Sequence, residues 1–514
     1  LRNATVGNNT AVGYQALLAN TSGTFNTAIG QSAGDANTTG SHLTAVGYGA
    51  LGANTTGNSN TAVGRDALLT HTTGSYNTAV GKDALYANTT ADNNTAVGHD
   101  ALTSNTTGNS NVAVGSDALR NNTTANLNVA IGLQSMTVCQ TGAENTCVGG
   151  AAGRYIGTGT GNTAIGRSAM HSSVSGSTGQ MTGNNNVAVG INALYANTSG
   201  SNNCAVGKGA LDANTTGSSN NAFGESALSA NTTGNDNNAF GVNALLTVTT
   251  GSNNCAFGRS ALGFLNTASN NVAIGKDALQ QNQTGGSNTA VGHNTLKTLG
   301  TNGTFGQLNT AIGSNALQAQ NTDGMNTAVG ANVLQQLTTG DENVAVGRLA
   351  NYSLTTGSKN VTIGYQAGLG HTTTQNCIII GNNANASSAS ASHEITLGNN
   401  SITNFRCNDT SISGLSDRRD KTDIVDLTVG LNFINSLLPR QFKWQSRDGN
   451  GKDGLVRAGF IAQELQEAQV GSEFLDLVMD NNPDRLEAKQ GNLIPVLVKA
   501  IQELSAKVTA LEGK

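Results

Sequence analysis

Proline is nearly missing from this sequence, three residues in 514, and charge is scarce at 11% of positions, with aromatics at 4%. A net charge of −5 over that length excludes a basic footprint for nucleic acid. No run of about 18 apolar residues is present, so no membrane insertion is expected. The chain opens at Leu1 without a charged-then-apolar leader, so no signal peptide is expected. The missing Met and a truncated first repeat point to a piece of a longer polypeptide. Six cysteines (Cys139, Cys147, Cys204, Cys255, Cys377 and Cys407) show no C-x-x-C spacing, which argues against a metal site. Their irregular intervals argue against a disulfide framework. The seven histidines, at 42, 71, 99, 171, 293, 371 and 393, include no pair at ligand spacing and read as surface residues. No cofactor and no metal are expected.

Low charge with low hydrophobicity would suit a disordered chain, but 23 of the 66 glycines recur at one period with two exceptions. An apolar residue followed by Gly, as in "NTAVG", recurs from Gly13 to Gly398 in 23 copies. Every interval is 17 residues except Gly166 to Gly190, which is 24, and Gly292 to Gly313, which is 21. One period held over so many copies implies a β-solenoid in which each repeat is one coil. At about 4.8 Å per coil the shaft would run roughly 110 Å. The fuller unit is N-T-A-V-G-x-D-A-L-x-x-N-T-T-G-x-x, as in residues 77–93.

The residue before Gly is Val, Ile, Phe or Leu in all 23 copies, and is expected to face the core. The residue before that is Ala in 19 of 23 and would point to the opposite face of a strand. Held so small, that face is expected to pack against another chain. Cys147 takes the place of Ala, Cys204 and Cys255 a place most often held by Thr, and all three read as small buried residues. Gly supplies a tight corner, and N-T-T-G is turn chemistry that closes the coil. From Gly13 to Gly398 the repeat resembles the head repeats of trimeric autotransporter adhesins and the Gly-rich shafts of phage fibres. The resemblance implies a parallel β-roll of three chains side by side; a single-chain β-solenoid is the simpler alternative. The absence of Gly at every third residue rules out collagen.

At residue 416 the composition changes. The last 99 residues hold 28 of the 57 charges, all three Pro and the only Trp. A helix is expected over about 420–437, then a hairpin of "RQFKWQ" and "GLVRAGFIA", a helix through "AQELQEAQV", and a last helix from near Leu493. In that last helix Ile494, Leu497, Ile501, Leu504, Val508 and Leu511 are spaced as a heptad seam, an oligomerisation stem. Three motifs stand in order: Ser416-Asp417-x-Arg419-x-Lys421, "GFIAQEL" at 459–465 and "LIPVLVKAIQEL" at 493–504. They resemble the self-cleaving intramolecular chaperone domain found at the C-terminus of endosialidase tailspikes and many phage fibres.

That resemblance implies Ser416 as nucleophile, Lys421 as base and Leu415–Ser416 as the scissile bond, with Asp417 and Arg419 supporting the motif. The fold so expected is an all-β repeat shaft over 1–398, a junction or distal tip over 399–415, and a small α+β chaperone domain over 416–514. The function expected is a homotrimeric tail fibre in a virion, assembled in the host cytoplasm. Its partner would be a host cell-surface receptor, a glycan or an outer-membrane component. Three alternatives stand beside it: a bacterial trimeric surface adhesin, a Thr-lined ice-binding solenoid, and a glycan-degrading spike. The adhesin should end in a membrane anchor rather than a coiled stem. Ice binding needs a Thr ladder, but the slot three before Gly varies among Thr, Val, Cys and Asn. A glycan hydrolase needs a carboxylate pair, and no such pair recurs in the repeats.

Overall fold

The computed structural model describes residues 7–172, 180–299, 306–321, 324–402, 406, 416–445, 454–480, 484 and 486–513. The chain builds a parallel β-solenoid of about 22 turns with 17-residue coils, then a small C-terminal region that ends in a helix. It divides into two compact units, Leu1–Asn326 and Thr327–Lys514.

In the first unit each coil gives one three-residue strand, beginning with Thr10–Val12 and Thr27–Ile29. Equivalent slots pair: Thr10 with Thr27, Ala11 with Ala28, Val12 with Ile29. Coil-to-coil hydrogen bonding continues through the turns, where Leu17 N–H donates to the Ala33 carbonyl at 3.0 Å and Thr38 N–H to that of Thr55 at 2.9 Å. The corner glycine is required on two counts. Gly64 has φ +140°, and a Cβ there would lie 2.3 Å from the Gly81 carbonyl oxygen. Each coil also holds left-handed residues that are not glycine, such as Asp83 (φ 56°) and Leu85 (φ 53°). Asp tolerates that region; Leu does not, and is held there by complete burial.

The two faces of the strand are the reverse of the expectation. Ala is the inward residue: Ala28, Ala62 and Ala79 are 0% exposed. The residue before Gly points out, with Val12 58%, Ile29 42% and Phe257 43% exposed. The coil is too narrow for more. Opposite the strand Ala lie a second Ala and the Leu of "DAL", also fully buried, and they fill the interior. Cys147 shares that interior, whereas Cys204 and Cys255 lie in the outward slot three before Gly and are only half-buried. All five described cysteines are free thiols.

Much of the rest of the interior is polar. Many coils bury two asparagines that stack on their equivalents, while in others an apolar residue takes one of the places, as at Leu43 and Val248. Asn37 Nδ2 donates to Asn20 Oδ1 at 2.8 Å and Asn54 Nδ2 to Asn37 Oδ1 at 2.9 Å. In the other file Asn77 N–H donates to Asn60 Oδ1 at 2.9 Å, and Asn77 Nδ2 to the Ala91 carbonyl at 2.8 Å. These amides satisfy turn carbonyls that the narrow coil would otherwise bury unpaired. Histidine breaks the expected surface pattern at His71 and His371, which are 0% and 2% exposed.

The second unit opens with five further strands of the same kind, Thr327–Val329 to Ile395–Leu397, in the same register. Its C-terminal region holds α1 (Leu431–Ser436), β1 (Arg440–Lys443) antiparallel to β2 (Val456–Gly459), and α2 (Ala462–Ala468). A two-residue hairpin of β3 (Val478–Met479) and β4 (Glu487–Ala488) follows, then α3 (Ile494–Glu512). The hairpin, α2 and α3 agree with expectation; the helix over 420–437 shrinks to α1 and a turn at Arg418–Asp420. Leu437, Leu465, Leu475, Leu477, Val478, Leu493 and Val496 form the core. Glu503 of α3 accepts the Leu431 N–H at 2.8 Å and so caps α1. Val496 and Ala500 face inward, while all six seam residues of α3 are exposed, from Leu497 at 42% to Leu511 at 72%.

Candidate functional site

The site is built at the first dense cluster of charge after the shaft. Asp417 is the N-cap of the short 3-10 turn Arg418–Asp420, its Oδ1 accepting the Arg419 N–H at 2.8 Å. That bond satisfies one of the donors a helical turn leaves free. The turn closes where Lys421 N–H donates to the Arg418 carbonyl at 3.2 Å. Five positions of sequence are thereby folded back, and Lys421 Nζ donates to Ser416 Oγ. The two residues singled out for chemistry are brought together.

Asp417 and Arg419 also meet. Arg419 Nε lies 3.1 Å from each Asp417 oxygen and Nη2 lies 2.6 Å from Oδ2, a two-pronged clasp. The guanidinium holds the Asp417 carboxyl below its ordinary range, and the carboxylate raises Arg419 in turn. Their i, i+2 spacing was the only sign of this clasp in the sequence. Ser416 and Lys421 are both exposed in the single chain, rather than desolvated as a lysine base requires. Leu415, the other side of the expected cleavage bond, lies outside the described residues, as do Phe405 and Ile412 of the expected tip. Among the described residues no group of three or more His, Cys, Asp or Glu could hold a metal ion, and no helix is long and apolar enough to cross a membrane.

A regular parallel solenoid is thus followed by a small module of helices and short hairpins, with a hydroxyl and an amine paired at the module's first residues. Residues 416–477 match the family model described as chaperone of endosialidase. The match begins at Ser416, takes in Asp417, Arg419, Lys421 and the "GFIAQEL" motif, and stops before α3. The chain therefore carries a chaperone-of-endosialidase domain, of a peptidase family of self-cleaving intramolecular chaperones, behind a β-solenoid. Neither the curated proteins nor the solved structures compared give a match to the chain.

Proposed function

We propose that this chain is a homotrimeric tail-fibre protein of a virus, a phage, that serves in host attachment. Its C-terminal domain aligns three copies, drives their folding, and then cuts itself away between Leu415 and Ser416. The observation that carries this reading is the Lys421–Ser416 hydrogen bond at the residue where the family match begins. An unprotonated Lys421 amine takes the Ser416 hydroxyl proton as Oγ attacks the Leu415 carbonyl carbon. The C–N bond breaks and the proton passes to the departing nitrogen, leaving Leu415 esterified to Ser416 Oγ. Water then splits the ester, giving the Leu415 carboxylate and restoring the hydroxyl. The reaction runs once per chain, and the domain turns over no further substrate.

Two surfaces support the trimer. The outward Val, Ile and Phe of the coils form an apolar file without a charge, and the exposed seam of α3 repeats at heptad spacing. Assembly would also cover Ser416 and Lys421, tying the cut to completed folding. Mature fibres would reside in the virion and meet a glycan or outer-membrane component of the host. The expected gel pattern for the wild type is two fragments, residues 1–415 and 416–514. Ser416→Ala and Lys421→Ala should each stay full length. N-terminal sequencing of the small fragment checks the bond, and a first residue other than Ser416 would overturn the assignment.

A further inference from the structure

Asp417 makes two kinds of contact, and they separate into two jobs. One oxygen caps the turn through the Arg419 N–H, a task that any side-chain carbonyl performs. Both oxygens together hold the Arg419 guanidinium, a task that needs the negative charge. The second job has no evident structural purpose, because the clasp is fully on the surface, where ion pairs stabilise little. Its position gives it a chemical one. Asp417 adjoins Ser416, the residue whose hydroxyl Lys421 Nζ reaches, so a carboxylate released from Arg419 would have the lysine beside it. A carboxylate on an ammonium favours the protonated form, and a protonated Lys421 cannot receive the Ser416 proton. Arg418, Asp420 and Asp423 carry the other charges of this segment, and among the described residues Lys421 makes no ion pair with any of them.

We infer that Arg419 is a positioning residue for the cleavage: by occupying both oxygens of Asp417 it keeps that carboxylate off Lys421 and leaves the amine to the Ser416 hydroxyl. This rests on the cleavage reading above. Asp417 is then useful for its cap and harmful for its charge, and Arg419 cancels the harm.

The test is the rate of self-cleavage of the full-length chain, followed by gel across a series of pH values. Arg419→Ala should move the pH midpoint of cleavage upward by about one unit and slow cleavage about tenfold below it. Asp417→Asn keeps a capping carbonyl and should leave the midpoint in place or lower it. The double variant Asp417→Asn with Arg419→Ala should cleave faster below the midpoint than Arg419→Ala alone. A purely structural clasp gives a different pattern, with both single variants equally slow, no shift in midpoint and no recovery in the double variant; that pattern overturns the inference. If Arg419→Ala fails to fold, the Asp417→Asn profile decides, since a midpoint shifted upward there contradicts the charge argument. A wild-type chain that never cleaves, or a Ser416→Ala chain that does, refutes the cleavage reading itself and is told apart by those two controls.

Discussion

Position 71 is a histidine where neighbouring coils have asparagine, and it sits at 0% exposure inside the amide file. Its Nε2 is 2.7 Å from the Gly74 carbonyl, so that nitrogen carries the proton, and Nδ1 faces the Asn88 amide at 3.2 Å as acceptor. Asn54 Oδ1, one coil earlier, is left without a partner among the described residues. Burial pushes His71 below its ordinary value of 6.5; the Gly74 carbonyl and Asp92 pull the other way and lose. The unfolded chain therefore takes up a proton at a pH where the native chain refuses it, and stability falls as pH drops below 6.5. His71→Asn should rejoin the file, from Asn54 to Asn88, and stabilise by about 1 kcal/mol. It should also reduce the loss of melting temperature between about pH 7.5 and about pH 5. Part of the acid sensitivity should remain, because burial lowers His371 and His171 as well. Thermal melts at the two pH values check both parts.

At the scale of the strand, the inward Ala and outward Val make opposite demands. Ala205 is fully buried, so Ala205→Leu overpacks the coil and should cost about 1–3 kcal/mol in a thermal melt. Val206 lies on the outward side, so Val206→Asp should leave the coil's own melting little changed and weaken association, as read by sedimentation. Equal effects of the two on both measurements would refute this division of labour. The coil period, its corner glycine and its turn were legible in the sequence because each copy repeats the same constraint. The sidedness was not. A run of Ala looks the same whether a second chain or the opposite wall of a narrow coil limits its size, and only the wall turned out to be there. The asparagine files were likewise hidden, because N-T-T-G reads as turn chemistry alone. Helix α3 was legible from its spacing. The segment 420–430 was not, since Ile424, Val425, Thr428 and Val429 are β-branched and Gly430 breaks the path with φ −145° and ψ −121°. The Ser416–Lys421 pair was legible as a spacing, while its closure depends on the three-residue turn capped by Asp417.

For the molecule as a whole, sameness is the difficulty. Each coil bonds to the next through equivalent slots, so chains displaced by one coil would keep nearly every contact. In the trimer proposed above an aligning domain answers that problem, and the 24- and 21-residue intervals would supply two places where a slipped pairing no longer matches. The same sameness predicts tolerance to editing by whole coils. Deleting residues 81–97, one full coil, should leave a folded shaft with a nearly unchanged melting temperature, because nearest-neighbour terms dominate repeat stability. Deleting residues 82–97, one residue fewer, shifts Ala out of the interior at the splice and should cost several kcal/mol. Comparative melts and far-UV spectra of the two deletions check this.

The slot-to-slot register of the coils also bears on how such a chain is inherited. Similar seventeen-residue units stand beside one another many times along the chain, and where their coding stretches are alike, misaligned copying or recombination between neighbours would add or remove a whole coil at one stroke. Such an event creates no new kind of contact and needs no compensating change elsewhere. Among close kin of this gene, the number of coils should therefore drift freely while the number of residues in a coil stays constant.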